Sequence, residues 1–127
     1  MTETPRIALI VDRDLFFVAK IREPLISTGW IVHVAKSADD VQARLSDPTP
    51  PSIVIVHFGI AALTWEQAIA TAKAAQVPVL AYGSHEDVAA QQVAREAGAT
   101  RVIANAKLAG DLLDMVERTL NHTPTNR

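Results

Sequence analysis

Five short apolar runs alternate along this chain with five stretches of helical periodicity. That alternation restricts the fold to a parallel α/β sheet more tightly than any other feature. The runs are Ile7–Val11, Ile31–Ala35, Ile53–Phe58, Val79–Tyr82 and Arg101–Ile103. The first, third and fourth are nearly unbroken Val, Ile, Leu and Ala, the composition of strands covered on both faces. The second alternates apolar residues with His33 and lies between Trp30 and Lys36, which predicts an edge strand. Apolar residues recur at helical spacing at Val18, Ile21 and Leu25, at Val41 and Leu45, and at Leu108, Leu112, Val116 and Leu120. Asp14 reads as an N-cap, while Ser37 with Asp40 and Thr64 with Gln67 read as capping boxes. Gly29 and Gly98 stand where helices end. Pro24, near the end of the first helix, is expected to kink or shorten its last turn.

With 127 residues, 49% of them hydrophobic and 20% charged, the chain suits one ordinary globular domain. We read residues 6–120 as that domain, with flexible tails at 1–5 and 121–127. Five strands favour the flavodoxin-like order 2-1-3-4-5, a doubly wound (βα)5 sheet with right-handed crossovers. In that order a crevice opens beyond the carboxyl ends of strands one and three, where Asp12, Arg13 and His57 stand. A net charge of −2 argues against a broad nucleic-acid or anionic-membrane footprint. No apolar stretch approaches the roughly 18 residues of a membrane span. The first residues lack a secretory pattern, so the expected compartment is the cytoplasm. The absence of cysteine removes disulfides, thiolate zinc sites and cysteine nucleophiles.

Four segments give the sequence a resemblance to response-regulator receiver domains, over roughly Arg6 to Leu120. Ile10-Val11-Asp12-Arg13-Asp14 is similar to the family's first strand, which ends in adjacent acids. Ser52-Ile53-Val54-Ile55-Val56-His57 resembles the third, which ends in the phosphorylated aspartate. Pro78-Val79-Leu80-Ala81-Tyr82-Gly83-Ser84-His85 resembles the fourth, where Thr or Ser normally follows, and Gly98–Ala106 the fifth, which normally ends Lys-Pro. The resemblance assigns Asp12 to the first acid, Arg13 to the second, His57 to the acceptor, Gly83 to the switch hydroxyl, Val102 to the switch aromatic and Asn105 to the conserved lysine. Ile60-Ala61 stands where Met-Pro is common. Of the six pocket and switch positions only Asp12 keeps the family residue.

That set is poor chemistry for phosphotransfer. Magnesium takes hard oxygen ligands at about 2.0–2.1 Å, whereas this pocket offers one carboxylate beside a guanidinium and an imidazole. The resemblance therefore implies a degenerate member, a pseudo-receiver. It would be a non-enzymatic, phosphorylation-independent interaction module, with no cofactor and no metal, that binds a kinase, an output protein or itself. The surface that would dock or dimerise involves the fourth helix, fifth strand and last helix, represented by Gln91, Arg95, Val102 and Lys107. Nothing is left over for a DNA-reading helix pair.

His57 reads as a strand-capping residue bonded to Asp12 or to a loop carbonyl; the alternative is phosphate accepted on an imidazole nitrogen. Arg13 is expected to neutralise Asp12, pair with Asp14 or face solvent. A further alternative is a small-molecule or metal-binding domain, with His85 joining His57 and Asp12 around a transition metal. Lys107 is read at the start of the last helix, too far along to replace the missing lysine. Trp65 is either a binding anchor or a cover for the loop 59–64.

Overall fold

The computed structural model describes residues 6–59 and 64–122. The expected tail at 1–5, the Ile60-Ala61 positions and residues 123–127 lie outside the described residues. The strands are β1 (Ile7–Val11), β2 (Ile31–Ala35), β3 (Ile53–His57), β4 (Val79–Gly83) and β5 (Arg101–Ala104). They alternate with α1 (Leu15–Ser27), α2 (Ala38–Leu45), α3 (Trp65–Ala74), α4 (Val88–Ala97) and α5 (Leu108–Leu120). The sheet is parallel throughout, in the order β2-β1-β3-β4-β5, with β2 at one edge. The expected architecture is observed.

Every residue of β1, β3 and β4 is buried, because helices cover both faces. Side chains alternate between two cores. Leu9, Val11, Val54, Val56, Val79 and Ala81 pack toward α2, α3 and α4. Ala8, Ile10, Ile53, Ile55, Leu80 and Tyr82 pack toward α1 and α5. Each large aliphatic side chain removed from water contributes roughly 1.5–3 kcal/mol, so these two layers hold the strand ends in place.

Local differences from the sequence reading have local causes. β3 stops one residue early, at His57, and the chain turns at Gly59 with φ +81°. Phe58 N–H still donates to the Tyr82 carbonyl at 2.8 Å, so the ladder outlasts the strand by one bond. Pro24 does not shorten α1, which runs on to Ser27. Thr28 caps the end there, its hydroxyl donating to the carbonyls of Pro24 and Leu25. Asp14 caps α1 through the N–H of Phe16, and Ser37 caps α2 through that of Asp40. Thr64 makes no side-chain cap at α3. α5 is broken near its start by Ala109 and by Gly110 at φ +92°, a left-handed residue that reorients the chain after a 3-10 turn over Asn105–Lys107. Among the described residues no helix is long and apolar enough to cross a membrane.

Candidate functional site

The carboxyl ends of β1, β3 and β4 bring Asp12, His57 and Tyr82 together. Tyr82 is the register partner of His57, and Val56, just before His57, pairs with Val11, just before Asp12. The three side chains continue the rows of Ile10, Ile55 and Leu80, so they share the sheet face that packs against α1 and α5.

The Asp12 carboxylate is completely buried, and hydrogen-bond donors occupy both of its oxygens. His57 Nδ1 lies 2.9 Å from Oδ2, and the Tyr82 hydroxyl donates to the same oxygen. Oδ1 accepts the Asp14 backbone N–H at 3.0 Å. Burial alone would push the Asp12 carboxyl up. Hydrogen bonds from His57, Tyr82 and Asp14, with the electrostatic attraction of His57, more than offset it and hold the group below its ordinary value. Burial, the bond to Asp12 and the charges of Asp12 and Asp14 push the Tyr82 phenol far above its ordinary value. Tyr82 thus stays a protonated donor. Because an ionised carboxylate only accepts, His57 Nδ1 carries the hydrogen of the Asp12–His57 bond.

Aromatic packing fixes this network. The His57 ring stacks on Tyr82, with centroids 4.7 Å apart and planes at 25°. Phe17 from α1 closes the other side edge-on, 5.0 Å from the His57 centroid. A rotated imidazole would lose both contacts, so Asp12, His57 and Tyr82 behave as one unit.

Beside this unit the remaining positions assigned by the resemblance fall as follows. Arg13 is exposed and lines a shallow depression with Lys36, Ser37, Asp39 and Thr64. Gly83 ends β4 under Phe58. A β-carbon added there would meet the Phe58 ring at 2.5–2.7 Å, so the ring fills the space that a Thr or Ser side chain would need. Asn105 follows β5, its Oδ1 buried without a partner among the described residues. Val102 is half-buried and packs on the core beneath α4. Arg95 and Lys107 are exposed, Lys107 standing 3.9 Å from Asp111. The Gln91 amide donates to the carbonyls of Ser84 and His85 and ties α4 to the preceding turn.

His85 is exposed. No group of three or more His, Cys, Asp or Glu converges as a metal-ligand set among the described residues. Trp65 is a packing residue, 8% exposed, with its ring 6.3 Å from that of Phe58. Sequence reasoning missed Tyr82 as a site residue. The available signal was a tyrosine inside an apolar run, whose hydroxyl must find a partner once buried.

The arrangement is suited to holding a negative charge permanently satisfied. It is ill suited to magnesium: the Asp12 carboxylate already serves three donors, and a cation would have to displace them.

No family model and no curated protein sequence matches the chain. Solved structures do match its fold. The receiver domain of NtrX from Brucella abortus superposes with a TM-score of 0.79 at 21% identity, covering 91% of this chain and 99% of that one. A CheY-like response regulator receiver domain protein from Methanospirillum hungatei JF-1 gives 0.78 at 17%, covering 92% and 94%. A response regulator protein from Burkholderia pseudomallei, with a phosphorylated aspartic acid, calcium ion and citrate, gives 0.73 at 15%, covering 91% and 66%. At these identities the likeness establishes the receiver-type fold.

Proposed function

We propose that this chain is a pseudo-receiver: a non-catalytic, phosphorylation-independent signalling module that acts by binding a protein partner, whether a kinase, an output protein or a second copy. One observation carries the reading. Asp12, the acid that follows β1, is engaged by His57, Tyr82 and the Asp14 N–H. The Burkholderia structure holds a phosphorylated aspartic acid and a calcium ion; here the resemblance puts His57 at the acceptor position. An imidazole cannot form an acyl phosphate, and it is a poor ligand for magnesium. Phe58 over Gly83 supports the same reading, because no hydroxyl is there to follow a phosphoryl oxygen. Receiver folds host different functions by changing such sites.

The test is incubation with acetyl phosphate and magnesium, followed by intact-mass measurement at neutral pH to preserve acid-labile phosphate. The expected mass is unchanged. A gain of one phosphoryl group mapped to Asp12 would falsify the reading. A gain abolished by His57→Ala would replace it with phosphate acceptance on imidazole, against which the burial of His57 (6% exposed) weighs.

A further inference from the structure

At the opposite end of the sheet from Asp12, a concavity opens between the starts of β1 and β2, the last turn of α2 and the segment leading to β3. Its cause is the length of α2. Eight residues of helix span about 12 Å, while the five residues of β2 span about 16 Å. The helix leaves the beginning of the edge strand uncovered. Ile31 is consequently 43% exposed, unusual for an isoleucine in a sheet. The cavity measures about 360 Å³, at the small end of ligand sites.

Its lining divides by chemistry. Ile7, Ile31 and Pro51 form an apolar floor, and His33 and Arg44 present two nitrogen-bearing side chains. Both are half-buried, and neither makes a side-chain hydrogen bond or ion pair among the described residues. Asp47 also lines the cavity, but its Oδ1 is turned to the Thr49 N–H at 2.9 Å. Arg44 therefore stands over an apolar floor with its forked donors available. Such a fork matches a carboxylate in two parallel bonds.

We propose that this cavity binds a small organic monocarboxylate with an apolar body. Its carboxylate pairs with Arg44 beside His33, and its hydrocarbon lies on Ile7, Ile31 and Pro51. Asp47 sets the charge limit, since its carboxylate repels a second negative group; dicarboxylates and phosphate esters are disfavoured. The site would give the domain an input that uses none of the Asp12 network, so it stands apart from the pseudo-receiver reading.

The probe is 1-naphthoate, titrated into the ¹⁵N-labelled full chain at constant ionic strength and followed by amide chemical shifts. Saturable shifts are expected at Ile7, Ile31, His33 and Asp47. Replacing a charge-assisted pair by a neutral amide in Arg44→Gln is expected to weaken binding about tenfold or more. Ile31→Asp, which puts a like charge on the floor, is expected to do the same with Arg44 intact. Absence of saturable shifts at these amides, or equal affinity in wild type and Arg44→Gln, overturns the proposal.

Discussion

A carboxylate buried as completely as Asp12 stays ionised only when donors replace the water it has lost. His57, Tyr82 and the Asp14 N–H do so. Asp12 and His57 were legible as neighbours in the sequence because both end strands that the fold class makes adjacent. Tyr82 was not, because its alignment with His57 depends on the β3–β4 register, which the apolar run alone does not reveal. Its weight can be measured. Tyr82→Phe removes one hydrogen bond to a charged group and is expected to lower stability at neutral pH by about 1.5–3 kcal/mol. A depressed folded-state value means that Asp12 stabilises the fold above the unfolded carboxylate range, about pH 4. That contribution disappears as pH falls through the folded value. Tyr82→Phe moves the folded value upward, so the variant loses its share at higher pH and the gap from wild type narrows in acid. Urea midpoints taken from about pH 7 to about pH 2 check this; a constant gap at every pH would remove Tyr82 from the charge network.

Between elements, the decisive contact is the Phe58 ring on Gly83. The Gly83 conformation is an ordinary strand one, outside the positive-φ glycines, so space alone restricts the position. Phe58 is itself buried and cannot swing away. Gly83→Ala is expected to cost about 1–3 kcal/mol by overpacking, and less when Phe58→Leu is already present. A double-mutant cycle on denaturation midpoints reads the coupling; strict additivity would show that the ring does not press on this strand. The sequence showed a glycine in place of a hydroxyl but not the reason. Phe58 follows His57 on the opposite sheet face, and the β3–β4 register, which sets His57 beside Tyr82, brings its ring onto Gly83. Other element-level misreadings have local backbone causes. Thr64 looked like a cap by spacing, yet its backbone does not aim the hydroxyl at the helix. The break at Ala109–Gly110 is invisible to periodicity because Leu108, Leu112 and Val116 remain buried at regular intervals across it.

At the scale of the whole molecule, strand order and both cores were readable because they depend on apolar patterning repeated over many residues. The state of the cleft depends on a few side chains whose contacts no pattern averages. The same scaffold can therefore be shared with proteins of 15–21% identity, and a shared scaffold does not fix what its site does. If the scaffold is intact and only the acids are missing, restoring one acid should harm the protein and restoring two should restore cation binding. His57→Asp removes a donor from Asp12 and sets a second carboxylate beside it. Like charges in a buried site raise one pKa strongly, and the loss of stability is expected to be about 3 kcal/mol. Magnesium is not expected to recover it while the Arg13 guanidinium remains at the rim. Adding Arg13→Asp supplies a third carboxylate and removes that charge. Millimolar magnesium should then raise the thermal midpoint of the double variant by several degrees, because a ligand bound only to the folded state stabilises it. Calorimetric scans of wild type, the single and the double variant with and without magnesium decide the matter. If the single variant gains as much from the cation as the double, Arg13 does not oppose magnesium binding, and the proposed loss of the cation site reduces to the identity of residue 57.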